Sequence, residues 1–282
     1  MKNLLTALLI VMVTMAANVH AQEAAPPGQI GVSPSMLELS IGSEPVNESL
    51  RLFNLKKTPT KVKVEVYNWT LDDNNEVKLL PPTEQSLDQW MLINPTAFTL
   101  EPGKSQVVRL SVRPPVKPDP GEHRALIYFI EESMAENAAD EEKKPVEVLF
   151  KLGVGVYANA NPVKRSSTLT SFSFDKSGNS LKAAITNSGN VHTRLTGSYS
   201  IWKKDDFPGI QNAEKFVKAE NPEKNPDGLV ASGQLNQTPV LPGNTRTIIT
   251  QLPTLTRSGS YIVAVSGELG DKKIEKTYPV SR

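Results

Sequence analysis

The sequence predicts an all-β protein built from two immunoglobulin-like β-sandwich domains. Three observations carry the prediction. Short stretches from Ile30 onward alternate apolar and polar residues, the period of a strand with one buried face. Pro-Gly turns separate them, because proline presets φ at the first central position and glycine takes the positive φ of a type II turn. The third observation is an internal repeat. Asn54, Thr60 and Trp69 recur at identical spacing as Asn187, Thr193 and Trp202, ahead of Leu100-Glu-Pro102-Gly103 in one copy and Leu241-Pro242-Gly243 in the other. Duplication of one sandwich unit accounts for the repeat.

Residues 1–21 read as an export signal: Lys2, an apolar run from Leu4 to Ala17, then Val19-His-Ala21, with cleavage expected after Ala21. The run is too short to cross a hydrocarbon core of about 30 Å as a helix. Residues 22–29 read as a disordered leader. The first sandwich takes residues 30–157, with strand patterns at Met36–Ile41, Leu50–Phe53, Lys61–Val66, Gln106–Val112, Ala125–Ile130 and Val146–Leu152. Asp72–Asn75, Pro102-Gly103 and Pro118–Gly121 supply turns, and Glu84–Trp90 has room for one or two helical turns. Residues 131–145 are acidic with almost no bulky apolar side chain, the composition of a mobile loop. Residues 158–164 form a linker and 165–282 the second sandwich, with strands from Leu169–Phe174 to Lys273–Tyr278. Helix signals are scarce. Residues 203–228 read either as a solvated excursion of a hairpin or as a recognition loop.

A chain of 282 residues holds about two cores. Lys and Arg total 31 against 30 Asp and Glu, which argues against nucleic acid or anionic lipid as a partner. Beyond the signal no stretch is apolar enough for stable membrane insertion. There is no Cys, so neither disulfides nor thiolate zinc sites hold the fold, and no lipid anchor follows the signal.

Catalysis has little to work with. His123 and His192 stand beside predicted turns, outside any metal spacing and away from a nucleophile signature, and both are expected at the surface. Asp72-Asp-Asn-Asn-Glu76 is similar to part of a calcium loop but lacks its Gly and closing Glu, which leaves a hairpin turn. The chain is therefore read as non-enzymatic, with no catalytic residue, no metal and no cofactor. Trp69 and Trp202 are expected to fill or cap the sandwich core rather than to stack a ligand.

The stretch Asn94-Pro-Thr-Ala-Phe-Thr-Leu-Glu-Pro-Gly-Lys-Ser-Gln-Val-Val-Arg-Leu110 resembles the signature of periplasmic pilus chaperones, the PapD-like family. Val32–Leu39, Leu52-Phe-Asn54, Val66-Tyr-Asn-Trp69 and Arg124–Phe129 resemble that family's strands in the same order. The likeness covers residues 30–157; over the second domain it rests on the repeat. It implies two domains in an L-shaped arrangement that hold an incomplete pilus or fimbrial subunit for delivery to an outer-membrane usher, in the periplasm. The last strand of the first domain would complete the subunit's sheet, with backbone pairing for affinity and alternate side chains for fit. Here the donor is Val146–Tyr157, whose Val146, Val148, Phe150, Leu152, Val154 and Val156 share one face; the same run also reads as an ordinary central strand. Family members hold the subunit's terminal carboxylate with an Arg on the first strand and a Lys on the donor. This chain has Met36 and Gly153 or Val154 there, and Met offers no donor. Lys151, with Arg51 as a more distant candidate, is expected to substitute. The alternative is an exported two-domain structural or adhesive protein of a surface fibre.

Overall fold

The computed structural model describes residues 30–133, 149–217 and 226–282. The expected signal and leader, most of the acidic segment, and Val146 and Val148 lie outside them. The first sandwich is built from β1 (Ile30–Ser33), β2 (Met36–Ile41), β3 (Val46–Asn54), β4 (Thr60–Leu71), β5 (Val77–Leu80), β6 (Met91–Asn94), β7 (Ala97–Leu100), β8 (Ser105–Val112), β9 (Gly121–Glu132) and β10 (Lys151–Ala160). The second contains β11 (Ser167–Asp175), β12 (Ser180–Asn187), β13 (Leu195–Lys203), β14 (Leu229–Gln234), β15 (Thr245–Gln251), β16 (Ser260–Leu269) and β17 (Lys272–Ser281).

In the first domain the sheet β1-β3-β8-β6 faces the sheet β2-β10-β9-β4-β5, with β7 also pairing β4. Alternation decides which side chains meet between them. Leu50 and Leu52 from β3, Val62 and Val64 from β4, Ile127 and Phe129 from β9, and Val154 and Val156 from β10 form one buried core. The chain changes sheets early. β1 pairs β3, Ile30 lying opposite Asn54, and after Pro34 and Ser35 it enters the other sheet as β2, parallel to β10. Proline at the crossing removes an amide that either ladder would otherwise need. The second domain stacks β11-β12-β15 on β14-β13-β16-β17 around Leu181, Ile185, Ile201, Val263 and Ile248.

The repeat has a structural cause. Nδ2 of Asn54 donates to the carbonyls of Thr58 (2.9 Å) and Leu100 (2.8 Å), and its Oδ1 accepts from the Lys56 amide (2.9 Å). Asn187 does the same with Val191 (2.8 Å), Val240 (2.8 Å) and Gly189 (2.9 Å). The Gly103 and Gly243 amides then donate to the Asn54 and Asn187 carbonyls. Both glycines hold positive φ, 67° and 74°, in the Pro-Gly turns.

Three expectations change. Residues 203–228 carry a helix, α1 (Ile210–Val217), which lies on β13 and β16 with Ala213 over Trp202. Glu131 and Glu132 belong to β9 rather than to a loop. Trp69 and Trp202 are buried, but on the outer faces of their sheets. Leu241 of the second domain joins the apolar cluster around Trp69, and α1 with Phe207 joins that around Trp202. The parity of Val62-Val64 and of Tyr199-Ile201 sends each Trp outward.

Candidate strand-pairing edge and inter-domain cleft

β10 pairs β9 along its full length, from Lys151 opposite Ile130 to Ala160 opposite Gly121. β2 covers its other side only from Gly155, opposite Met36, to Ala160, opposite Ile41. Among the described residues no strand pairs the remaining edge, Lys151–Val154, because β1 is held in the other sheet and the chain reaches β10 only at Met36. The Glu131 amide donates to the Phe150 carbonyl (3.0 Å), which sets the parity of the ladder. Backbone groups of alternate residues face β9, so those of Lys151 and Gly153 face the open side. Each presents one N–H and one C=O. The start of the strand is pinned: the Glu131 carboxylate is held by Lys56 and accepts from the Phe150 amide at 3.2 Å.

The two faces of this strand differ. Inward, Val154 and Val156 are fully buried, and Phe150 and Leu152 are half-buried against the same core. Outward come Lys151, Gly153, Gly155 and Tyr157. The Lys151 ammonium stands 3.9 Å from the centroid of Tyr128, which meets Tyr67 edge-on at 5.9 Å. Tyr157 lies 5.9 Å from Trp69 and 4.2 Å from His192. Its hydroxyl accepts from Arg194 at 3.0 Å. Burial pushes the Tyr157 phenol up, against the Arg194 charge.

Polar groups fix the two domains at this point. The Glu122 carboxylate accepts from the His192 amide (2.8 Å), the His192 Nδ1 and Arg124 (2.9 Å). Burial raises the Glu122 carboxyl, but the His192 hydrogen bonds and the charges of His192 and Arg124 outweigh it and hold it below the ordinary range. Gly121, at φ 117°, lets the Asn190 carbonyl approach to 2.7 Å from where a Cβ would stand. Farther along, Arg246 pairs Asp73 at 3.0 Å in the β4–β5 turn. Beside this joint a cleft of about 580 Å³ is lined by Glu38, Arg165, Ser167, His192, Arg194 and Lys272.

The predicted residues separate. Phe150, Lys151 and Leu152 lie at or beside the open edge, whereas Val154 and Val156 are fully buried in the domain's own core. Arg51 stands in the other sheet: Leu50 and Leu52 face inward, so Arg51 points away from β10, toward Ser105 at 3.1 Å. Met36 is opposite Gly155, with its Sδ 3.0 Å from Arg194. His123 and His192 are buried, not at the surface: His123 sits between the carbonyls of Gln85 (2.8 Å) and Asp119 (2.9 Å). Asp72 caps its turn by accepting from the amides of Asn74 and Glu76, both at 2.9 Å. Sequence reasoning missed Arg194, His192 and Glu122. Glu122 and Arg124 flanking His123 ahead of the apolar run Ala125–Ile130 were the trace of them in the sequence.

No protein-family model and no curated protein matches the chain. Solved structures do. A chaperone–tip adhesin complex of CFA/I fimbriae biogenesis matches at 16% identity over 90% of this chain and 98% of that one, with a TM-score of 0.45. CfaA, a class 5 fimbriae chaperone, matches at 15% identity over 90% and 100%, with a TM-score of 0.44. The SafB chaperone of Salmonella enterica, solved with the SafA pilin, matches at 14% identity over 92% and 99%, with a TM-score of 0.43. Likenesses of this size assign neither an activity nor a partner to the present chain.

Proposed function

We propose that this is a non-enzymatic periplasmic chaperone of PapD-like architecture, which holds fimbrial or pilus subunits by strand addition for delivery to an outer-membrane usher. The observation that carries the reading is the edge Lys151–Val154, which no strand pairs among the described residues and which runs on into the segment that β2 covers in parallel. An open edge is an aggregation liability unless it has a partner, and addition of an extended segment satisfies its backbone groups. Phe150 and Leu152 supply the inward apolar contact. A subunit's terminal carboxylate falls in this reading to the inter-domain cleft, where Arg165, Arg194 and Lys272 are the cations, with Lys151 at the far end of the edge. The export signal read in residues 1–21 supports a periplasmic location, where such subunits emerge.

Co-expression with small exported subunits encoded beside this gene, followed by pull-down from periplasmic extract, tests the proposal. A complex of about 1:1 is expected; its absence with every neighbouring subunit refutes the reading. Phe150→Asp is expected to abolish capture. Gly153→Pro removes an edge-facing amide without removing a β9 ladder bond, and it is expected to reduce capture at least tenfold while the circular dichroism spectrum remains that of a folded chain.

A further inference from the structure

Two successive outward positions of β10 beside the open edge, Gly153 and Gly155, have no side chain, and their space is taken by neighbours. A Cβ on Gly153 would stand 3.2 Å from Cε1 of Tyr128 and 3.3 Å from Cδ1 of Leu126, and one on Gly155 would stand 3.2 Å from Cε2 of Tyr157. The Tyr128 ring therefore reaches across β10 and floors the surface next to the edge. Glycine inside a strand weakens it and marks a place where something else approaches closely. At the next outward position the Lys151 ammonium lies over that same ring. Among the described residues it makes no direct ion pair, although its charge helps hold the Glu65 carboxyl down, whereas Lys61 is paired with Glu132 and Lys63 with Glu65. The inward side of the same segment is apolar, through Phe150 and Leu152.

We infer that this edge selects an extended partner segment with two defined outward residues: a carboxylate level with Lys151 and, two positions along, an aromatic side chain level with Gly153. The residues that alternate with them are apolar. A strand added about 4.8 Å from β10 sets its outward side chains directly beside those positions. The carboxylate there meets a cation already placed over a ring. With no side chain at Gly153 standing between them, the aromatic group packs across the strand against the edge of Tyr128. Either chain direction satisfies the pattern, as acid-x-aromatic or as its reverse. The inference rests on the reading of Lys151–Val154 as a strand-pairing edge and adds the chemistry of its partner.

Fluorescein-labelled peptides test it by anisotropy: Thr-Val-Thr-Val-Glu-Val-Phe-Val-Thr-Val, the version with Glu and Phe exchanged, and versions with Ala at both positions or Lys for Glu. One of the two Glu/Phe peptides is expected to bind about fivefold or more tightly than the Ala peptide, from one exposed ion pair and one aromatic contact. Lys151→Glu is expected to turn the preference toward the Lys peptide. Gly153→Val, whose Cβ displaces the Tyr128 edge, is expected to remove the advantage of Phe while the circular dichroism spectrum remains that of the folded parent. Equal binding of the Glu/Phe and Ala peptides, preferences that survive both substitutions, or no binding by any peptide overturns the inference. Equal binding by all peptides that Gly153→Pro abolishes leaves strand pairing standing without the code. Undiminished subunit capture by the Gly153→Pro chain removes the edge itself.

Discussion

Asn54 and Asn187 show how one side chain can close a domain. Each is essentially inaccessible, at 0% and 1% exposure, and satisfies two carbonyls and an amide that turn geometry would otherwise leave buried and unpaired. Losing such a partner costs more than the bond itself contributes, because the orphaned groups stay desolvated. Asn54→Ala and Asn187→Ala are each expected to destabilise their own domain by about 2–3 kcal/mol in urea unfolding. Equivalent losses in the two domains support the duplication; a loss confined to one copy argues that the second Asn is incidental. At this scale the sequence was legible, since Asn, Pro and Gly reveal turn chemistry locally. Arg51 was not: the parity that turns it away from β10 depends on which face of β3 is buried.

Among elements, β10 divides into two parts that one alternating pattern cannot distinguish. Its C-terminal half is a central strand, with β9 on one side and β2 on the other; its N-terminal half is an edge. The difference comes from where Pro34 lets the preceding strand change sheets, a non-local event. The repeated Trp residues make a similar point. Trp69 is covered by the second domain and Trp202 by α1, so one position in the repeat closes two unlike interfaces. The helix went unread because residues 203–228 contain Lys, Glu, Asn and Pro in proportions that suit a solvated loop, and its apolar contact is supplied by Trp202 from a neighbouring strand. Trp202→Ala is expected to cost about 3–5 kcal/mol of second-domain stability and to release α1, seen as lost helical signal, with subunit capture retained. Loss of capture instead would assign α1 to the binding surface.

For the whole molecule, the joint between domains sets a buried carboxylate and histidine beside the apolar contact of Leu241 with Trp69. Glu122 sits in the first domain and His192 in the second, and the carboxyl is held below its ordinary value of 4.5. A lowered carboxyl contributes stability that is complete above pH 4.5 and is lost as pH falls through its lower folded value. Acid is thus expected to loosen the domains before it unfolds their cores. Limited proteolysis of the 161–166 connection is expected to accelerate as the pH is taken from neutral to about 3, and Glu122→Gln is expected to give fast cleavage already at neutral pH. A cleavage rate flat across that range, equal in parent and variant, would show that this contact does not hold the joint.

The sequence alone determined the all-β class, the two sandwiches, the turns and the repeat, because each is written in residues close together along the chain: alternation for strands, proline and glycine for φ, a buried Asn for each closed turn. Only the tertiary structure decided which segment of β10 no strand pairs among the described residues, that Val154 and Val156 are buried in the core, and that Arg194, His192 and Glu122 meet between the domains. Those outcomes depend on which strands become neighbours, and strand order is set by packing of distant segments that no local pattern encodes.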